Sequence, residues 1–324
     1  MKKIISSLAA ALVALAASAA DTYTNPVFYS DWGSPTITTF RGDDGAFYGF
    51  IYQGWGRYSK DMVNWQDAYR VADDAKSFGD KYTLYWPNVN KIGDRYVMYF
   101  TCLADGETGG TSVAISVSSA PASHYTLQKN LFTYNEMGVY GTNEPFMMAD
   151  RSSGAKYLFF SSPGEGIYAT ELADDGMSLK NGTQKVQIAN SAITAPRLCW
   201  HDGYYYLFGQ AQQASSSGKT TTNIVVGRSA TITGPYVDGM GNRLLDGYFH
   251  TVMAGNAYFY DPSNLSPILT DDAGDEWVIY NAVQASASHT YPVMLLDRVR
   301  WQDGWPRISD GYPSYYPTRA PLIR

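Results

Sequence analysis

The chain is poor in cysteine. Cys102 and Cys199 are the only two among 324 residues. They fall in repeats that are not neighbours, so two separate buried thiols are expected rather than a bridge. No Cys/His cluster has the spacing of a zinc site. Basic charge is also short: 24 Lys+Arg stand against 30 Asp+Glu, a net charge of -6. That balance argues against nucleic acid as a partner, because phosphate binding needs a basic footprint. No run of like charge suggests a tail or a membrane patch. No long amphipathic helical period occurs. Beyond the first 20 residues no apolar run reaches the roughly 20 residues that a bilayer span needs.

What the chain does have is a unit that recurs five times. Each copy holds a proline, a short apolar run, a turn, then Gly-x-x-aromatic and a second apolar run. The copies run from Pro35 to Tyr48, Pro87 to Tyr96, Pro145 to Tyr157, Pro196 to Tyr206 and Pro267 to Trp277. Their glycines are 48, 61, 49 and 71 residues apart. Repetition at about 50 residues indicates a propeller, solenoid or array. The runs after each glycine are aromatic and β-branched, as in Tyr96-Val-Met-Tyr-Phe-Thr101, and read as strands. Third strands follow, for example at 112–116, 166–170 and 222–227. Helix-free repeats with three or four strands each predict an all-β, five-bladed β-propeller.

Residues 1–20 read as a secretory signal: Lys2 and Lys3, an apolar stretch from Ile4 to Ala17, and small residues up to Ala20. The expectation is a secreted or periplasmic chain in which 21–324 forms a single propeller domain. It is expected to act as a monomer on an oligo- or polysaccharide, without nucleic acid or membrane. No cofactor or metal is expected, although an ion in the channel stays open.

In a propeller the inner strands line a channel, and the residues before each repeat's proline open those strands at one rim. Here they are Ser34, Trp86, Glu144, Ala195 (with Thr194 before it) and Ser266. Acidic side chains there would converge, and glycoside hydrolysis needs two of them.

A family resemblance becomes specific at this point. Asn25-Pro-Val27 with Asp31-Trp-Gly-Ser-Pro-Thr-Ile37, Ser59-Lys-Asp-Met-Val-Asn-Trp65, Gly166 to Gly176, Gly234-Pro-Tyr236, Thr270-Asp-Asp272 and Leu295 to Pro306 are similar, in order, to segments of glycoside hydrolase family 43. That family consists of five-bladed propellers that cleave arabinose- and xylose-containing plant polysaccharides. The closest look is to its arabinanase and arabinofuranosidase branches. The resemblance implies a general base at Ser34, a general acid at Thr194 and a pKa-tuning Asp at Glu144. It also implies an Asp at Asn88 and a channel His near Asn264. Of these positions only Glu144 keeps a carboxyl.

Glu144 and Asp31 are therefore the catalytic candidates. Trp32, Trp55 and Trp86 are candidate stacking platforms for sugar rings, with core packing as the alternative. Asn88, Arg197 and Asn264 are candidate substrate contacts. Arg197, on an inner strand, needs an acidic partner, and Glu144 is the candidate. Trp65, Trp277, Trp301 and Trp305 are expected to pack, and His250 is expected to be an ordinary histidine. Two functions follow. One is a secreted glycosidase with a non-standard acid set. The other is a catalytically inactive propeller that binds glycans. A fructan-cleaving propeller is the weaker third reading, since the Asn-Asp-Pro-Asn opening is absent.

Overall fold

The computed structural model describes residues 22–29, 38–50, 54–70, 84–103, 110–214, 220–286 and 292–324. Asp31, Trp32 and Ser34 lie outside them. Five antiparallel sheets follow one another along the chain. Blade 1 runs from its inner strand Thr38–Arg41 to its outer strand Trp65–Arg70, and blade 2 from Tyr85–Ile92 to Thr126–Phe132. Blade 3 runs from Asn143–Ala149 to Val186–Asn190, and blade 4 from Thr194–His201 to His250–Met253. In blade 5 the inner position is shared by Phe259–Ser263 and Leu269–Thr270, and the outer strand is Trp305–Ile308. This is the five-bladed propeller expected from the repeats. Cys102 and Cys199 are free thiols.

The local chemistry of each blade follows from its turns. Asp202-Gly203 and Asp303-Gly304 both hold two successive positive φ angles, 42° and 86°, then 53° and 72°. That is the turn that joins two strands with the least splay, and Asp-Gly suits it. The strands it joins bury one apolar row on each face. The result is five clusters of buried side chains, one in each gap between neighbouring blades. Phe50, Val89, Met98 and Phe100 fill the gap between blades 1 and 2. Phe159, Ile167, Leu198 and Leu207 fill that between blades 3 and 4. Phe47, Trp65, Trp277 and Leu296 fill the gap that closes the ring. Each blade is buried on both faces, which explains strands that read as continuous apolar runs rather than alternating ones.

The chain ends meet on blade 5. Thr22–Tyr23 pairs with Thr318–Arg319. The Tyr23 hydroxyl donates to the Leu296 carbonyl at 2.6 Å, and Asn25 exchanges two hydrogen bonds with the Leu296 backbone. Next to them Asp297 is 1% exposed. Its Oδ2 accepts from the Tyr280 hydroxyl at 2.6 Å and the Ser314 amide at 3.2 Å. Burial nonetheless pushes its carboxyl up to about 6.

A carboxyl raised in the folded state favours folding while it is neutral. That benefit is complete below about pH 4, the unfolded value, and is lost as pH rises through about 6. Between pH 4 and 7 the native protein should therefore lose about 2–3 kcal/mol relative to an Asp297→Asn variant, which does not titrate. Urea unfolding of both chains at the two pH values measures the difference.

Candidate functional site: the rim of the channel

The rim is built by one backbone device used repeatedly. In blades 2, 3 and 4 the inner strand carries a one-residue bulge, between Tyr85 and Asn88, Asn143 and Phe146, and Thr194 and Arg197. The residue inside each bulge before the proline is left-handed: Trp86 at φ 46°, Glu144 at 58° and Ala195 at 57°. None is glycine, so each costs roughly 1–2 kcal/mol of backbone strain. Strain of this kind gathers at functional sites.

The bulge turns the amide of its left-handed residue away from its own ladder, and the preceding blade takes it up. The Glu144 amide donates to Thr101 Oγ1 at 3.1 Å. The Ala195 amide donates to Ser161 Oγ at 2.9 Å. Thr101, Ser161 and Gln210 are equivalent, each paired across the ladder with the residue before the left-handed one.

Gln210 identifies the fifth member, because its Oε1 accepts the amide of Asn264 at 3.2 Å. Asn264 is left-handed, at φ 52°. The fifth rim residue is thus Asn264, not Ser266. Ser266 lies between the two inner segments and bonds within its own blade: its amide donates to the Ile279 carbonyl at 2.7 Å, and its Oγ accepts the Ile279 amide at 2.9 Å. Pro267 follows Asn264 by three residues, so in this blade the proline does not mark the left-handed residue.

Glu144 sits at the centre of the described rim. It is 7% exposed. Its Oε2 accepts from Ser161 Oγ at 2.9 Å and from the Ala195 amide at 2.8 Å. Burial pushes its carboxyl up, while the charge of Arg197 and these two donors pull it back. Arg197 is 2% exposed and lies over the Phe146 ring at 5.6 Å. It donates to the Pro196 carbonyl at 2.7 Å. Burial lowers its guanidinium to about 10, opposed by Glu144, so it stays protonated at neutral pH. Glu144 and Arg197 are thus two buried groups of opposite charge that influence each other electrostatically, while the hydrogen bonds described above go to other partners.

A sequence profile described as Glycosyl hydrolases family 43 matches residues 23–306. The chain belongs to glycosyl hydrolase family 43.

Among its relatives, the extracellular endo-alpha-(1->5)-L-arabinanase 1 of Bacillus subtilis (strain 168) is 24% identical over 76% of this chain and 77% of its own. The arabinan endo-1,5-alpha-L-arabinosidase C of Emericella nidulans is 28% identical over 95% and 99%. The solved structure of Cellvibrio cellulosa alpha-L-arabinanase complexed with arabinohexaose superposes with a TM-score of 0.74. It is 21% identical and covers 87% of this chain and 99% of that one.

In this family 43 propeller the remaining candidates divide by place. Thr194 is half-buried on the blade 4 inner strand, paired with Gln210. Trp86 is half-buried beside Tyr85, with ring centroids 5.6 Å apart. Trp55 is 47% exposed and starts the third strand of blade 1. Asn88 is 1% exposed, and its Oδ1 accepts the Met147 amide and the Asn90 side chain, at 3.0 and 2.7 Å. It joins blade 2 to blade 3 beneath the rim. His250 lies exposed on the outer strand of blade 4.

One carboxylate was missed by reading prolines alone. In blade 5 the same bulge recurs above the rim, between Tyr260 and Ser263. Its left-handed residue is Asp261, at φ 53°, and a proline follows. Asp261 is half-buried, and its Oδ1 accepts the Thr222 amide at 2.7 Å. The Asp-Pro pair was the available signal. It lies five residues before the Pro267 that the repeat spacing selected.

Glu144 and Arg197 offset part of each other's burial penalty, and leaving a buried charge uncompensated costs about 3–5 kcal/mol. Glu144→Ala should lower unfolding free energy by that order. Adding Arg197→Met to it should recover at least half. Denaturant unfolding of the wild type, both single variants and the double variant gives the coupling directly.

Proposed function

We propose that this chain is a secreted glycosidase that cleaves arabinan, or a related arabinose- or xylose-containing plant polysaccharide, at the rim of its channel with a non-standard acid set. The observation that carries the reading is the membership in family 43 together with a rim on which the left-handed residues Glu144, Ala195 and Asn264 are each tied to the preceding blade. Relatives named for arabinan support arabinan over xylan. The leader-like residues 1–20 and the extracellular relative support secretion.

The family's base and acid positions hold Ser34 and Thr194. Neither side chain takes up or delivers a proton near neutral pH unaided. The carboxyls left for the work are Asp31, three residues before Ser34, and Asp261, above the rim of blade 5. Glu144 then fits the role of a buried charge that tunes and positions, since its Oε2 is already engaged. Trp32, Trp55 and Trp86 supply faces for sugar rings, and Asn264 and Arg197 supply polar contacts.

A second reading is favoured by one specific observation. The sole charged side chain among the described left-handed rim residues is buried and committed to Ser161 and Ala195. That fits a propeller that binds arabinan without cleaving it.

Sugar release from linear arabinan, measured beside binding, separates the two. The enzyme reading expects release that falls by about 10²–10⁴-fold in Asp31→Asn or Asp261→Asn. Binding with no release in the wild type sinks it. The inactive reading then gains further support if Ser34→Asp with Thr194→Glu switches release on.

A further inference from the structure

Blade 5 carries a group of tyrosines that neither the core nor the rim bonds use. Tyr258 and Tyr315 are 53% and 48% exposed, yet their rings stack with centroids 4.1 Å apart at 17°. Tyr316 packs edge-on against Tyr315 at 5.4 Å. Tyr260 and Tyr312, on the same two chain segments, are also exposed. The two segments that bear these rings are tied together. The Ala254 amide donates to the Gly311 carbonyl at 3.0 Å, and Asn256 Nδ2 donates to the Pro313 carbonyl at 2.8 Å. Asn256 Oδ1 in turn accepts the amides of Tyr258 and Phe259, both at 2.9 Å. The ledge is thus built in place.

Its position follows from register. Phe259 opens the inner strand of blade 5, and rim residue Asn264 comes six residues after Tyr258. The ledge is therefore no more than about 20 Å from the rim along the strand. On its other side it runs into a cleft of about 400 Å³ between the outer strands of blades 4 and 5. Gly311 belongs to both, since it lines the cleft and anchors Ala254. Gln302, Asp303, Arg307 and Asp310 line the cleft around Trp305. Arg228 covers Trp305 at 4.7 Å, and His250 packs against it at 5.3 Å. Trp305 is therefore a wall, and the accessible ring faces are those of the ledge.

The chemistry of this strip selects its occupant. Exposed, ordered aromatic rings mark a binding surface. Flat rings with hydroxyl tips match the apolar faces and hydroxyl edges of sugars. The amide, guanidinium and carboxylates of the cleft offer donors and acceptors together, as a neutral polyol needs, and do not favour an ion of one sign. A stable protein partner would need about 800 Å² of well-packed surface on each side, and five tyrosines set among charges do not supply an apolar core for it.

We propose that the ledge and cleft form a second glycan-binding site, which holds a polysaccharide chain outside the channel rim and keeps it near the site of cleavage or capture. This rests on the reading that the rim takes an arabinose- or xylose-containing polysaccharide.

The test uses the full chain and two probes, linear arabinan in an affinity gel and arabinotriose in solution. Tyr258→Ala with Tyr315→Ala should weaken retention by arabinan at least tenfold and leave arabinotriose affinity unchanged. Tyr258→Phe with Tyr315→Phe keeps the rings and should stay within threefold of the wild type. Should the alanine pair not fold, Gln302→Ala with Arg307→Ala in the cleft should still weaken arabinan retention at least threefold. Undiminished retention in the folded alanine pair, or in the cleft variant where that one is used, overturns the second site and leaves the rim reading standing. Loss of both probes together also overturns it, by making the ledge part of the rim site. A wild type that binds neither probe overturns the rim reading and the second site with it.

Discussion

The rim depends on one small interaction: the amide of a left-handed residue in blades 3, 4 and 5, captured by a side chain of the preceding blade. Thr101, Ser161 and Gln210 receive the amides of Glu144, Ala195 and Asn264. A bulge frees the amide, and burial makes leaving it unpaired costly. The preceding blade's side chain resolves both at once. Apolar packing alone would let neighbouring blades slide, because it has no direction. The amide bonds fix the offset between blades 2 and 3, 3 and 4, and 4 and 5.

The same device accounts for the character of the site. Ser161 holds the Ala195 amide and also donates to Glu144, and Glu144 accepts that same amide. Structure and chemistry therefore share one carboxylate. The charge of Arg197 offsets part of the rise that burial imposes on this carboxyl. A carboxylate held this firmly is suited to setting the field at the rim, and poorly suited to exchanging protons with solvent.

Much of the architecture was legible in the chain. Turn glycines followed by aromatic runs located the strands, and their repetition gave the blade number. Trp65 and Trp277 pack as expected, each with its indole N–H bonded, to the Met62 carbonyl and to Asp271. Trp301 stacks on His201 at 3.6 Å. The opposition of charge between Arg197 and Glu144 was readable because a buried guanidinium demands an acid. Proline spacing failed in blade 5, where Phe259–Ser263 and Leu269–Thr270 share the inner position. There the proline sits off the bulge, and only the bond from Gln210 identifies Asn264. The tyrosine ledge was invisible for another reason: Tyr258 and Tyr315 are far apart in the chain, and each alone looks like an ordinary aromatic.

By itself, the sequence determined the class of fold, the number of blades and the acidic balance. Those are properties of residue type and spacing, which local backbone preference and burial translate directly. Tertiary structure alone decided which residue is fifth on the rim, that Glu144 is locked by Ser161 and Ala195, and that two distant segments form an aromatic ledge. Each of these depends on the offset between blades or between chain segments. That offset is set by hydrogen bonds across the gaps, and no run of neighbouring residues encodes it.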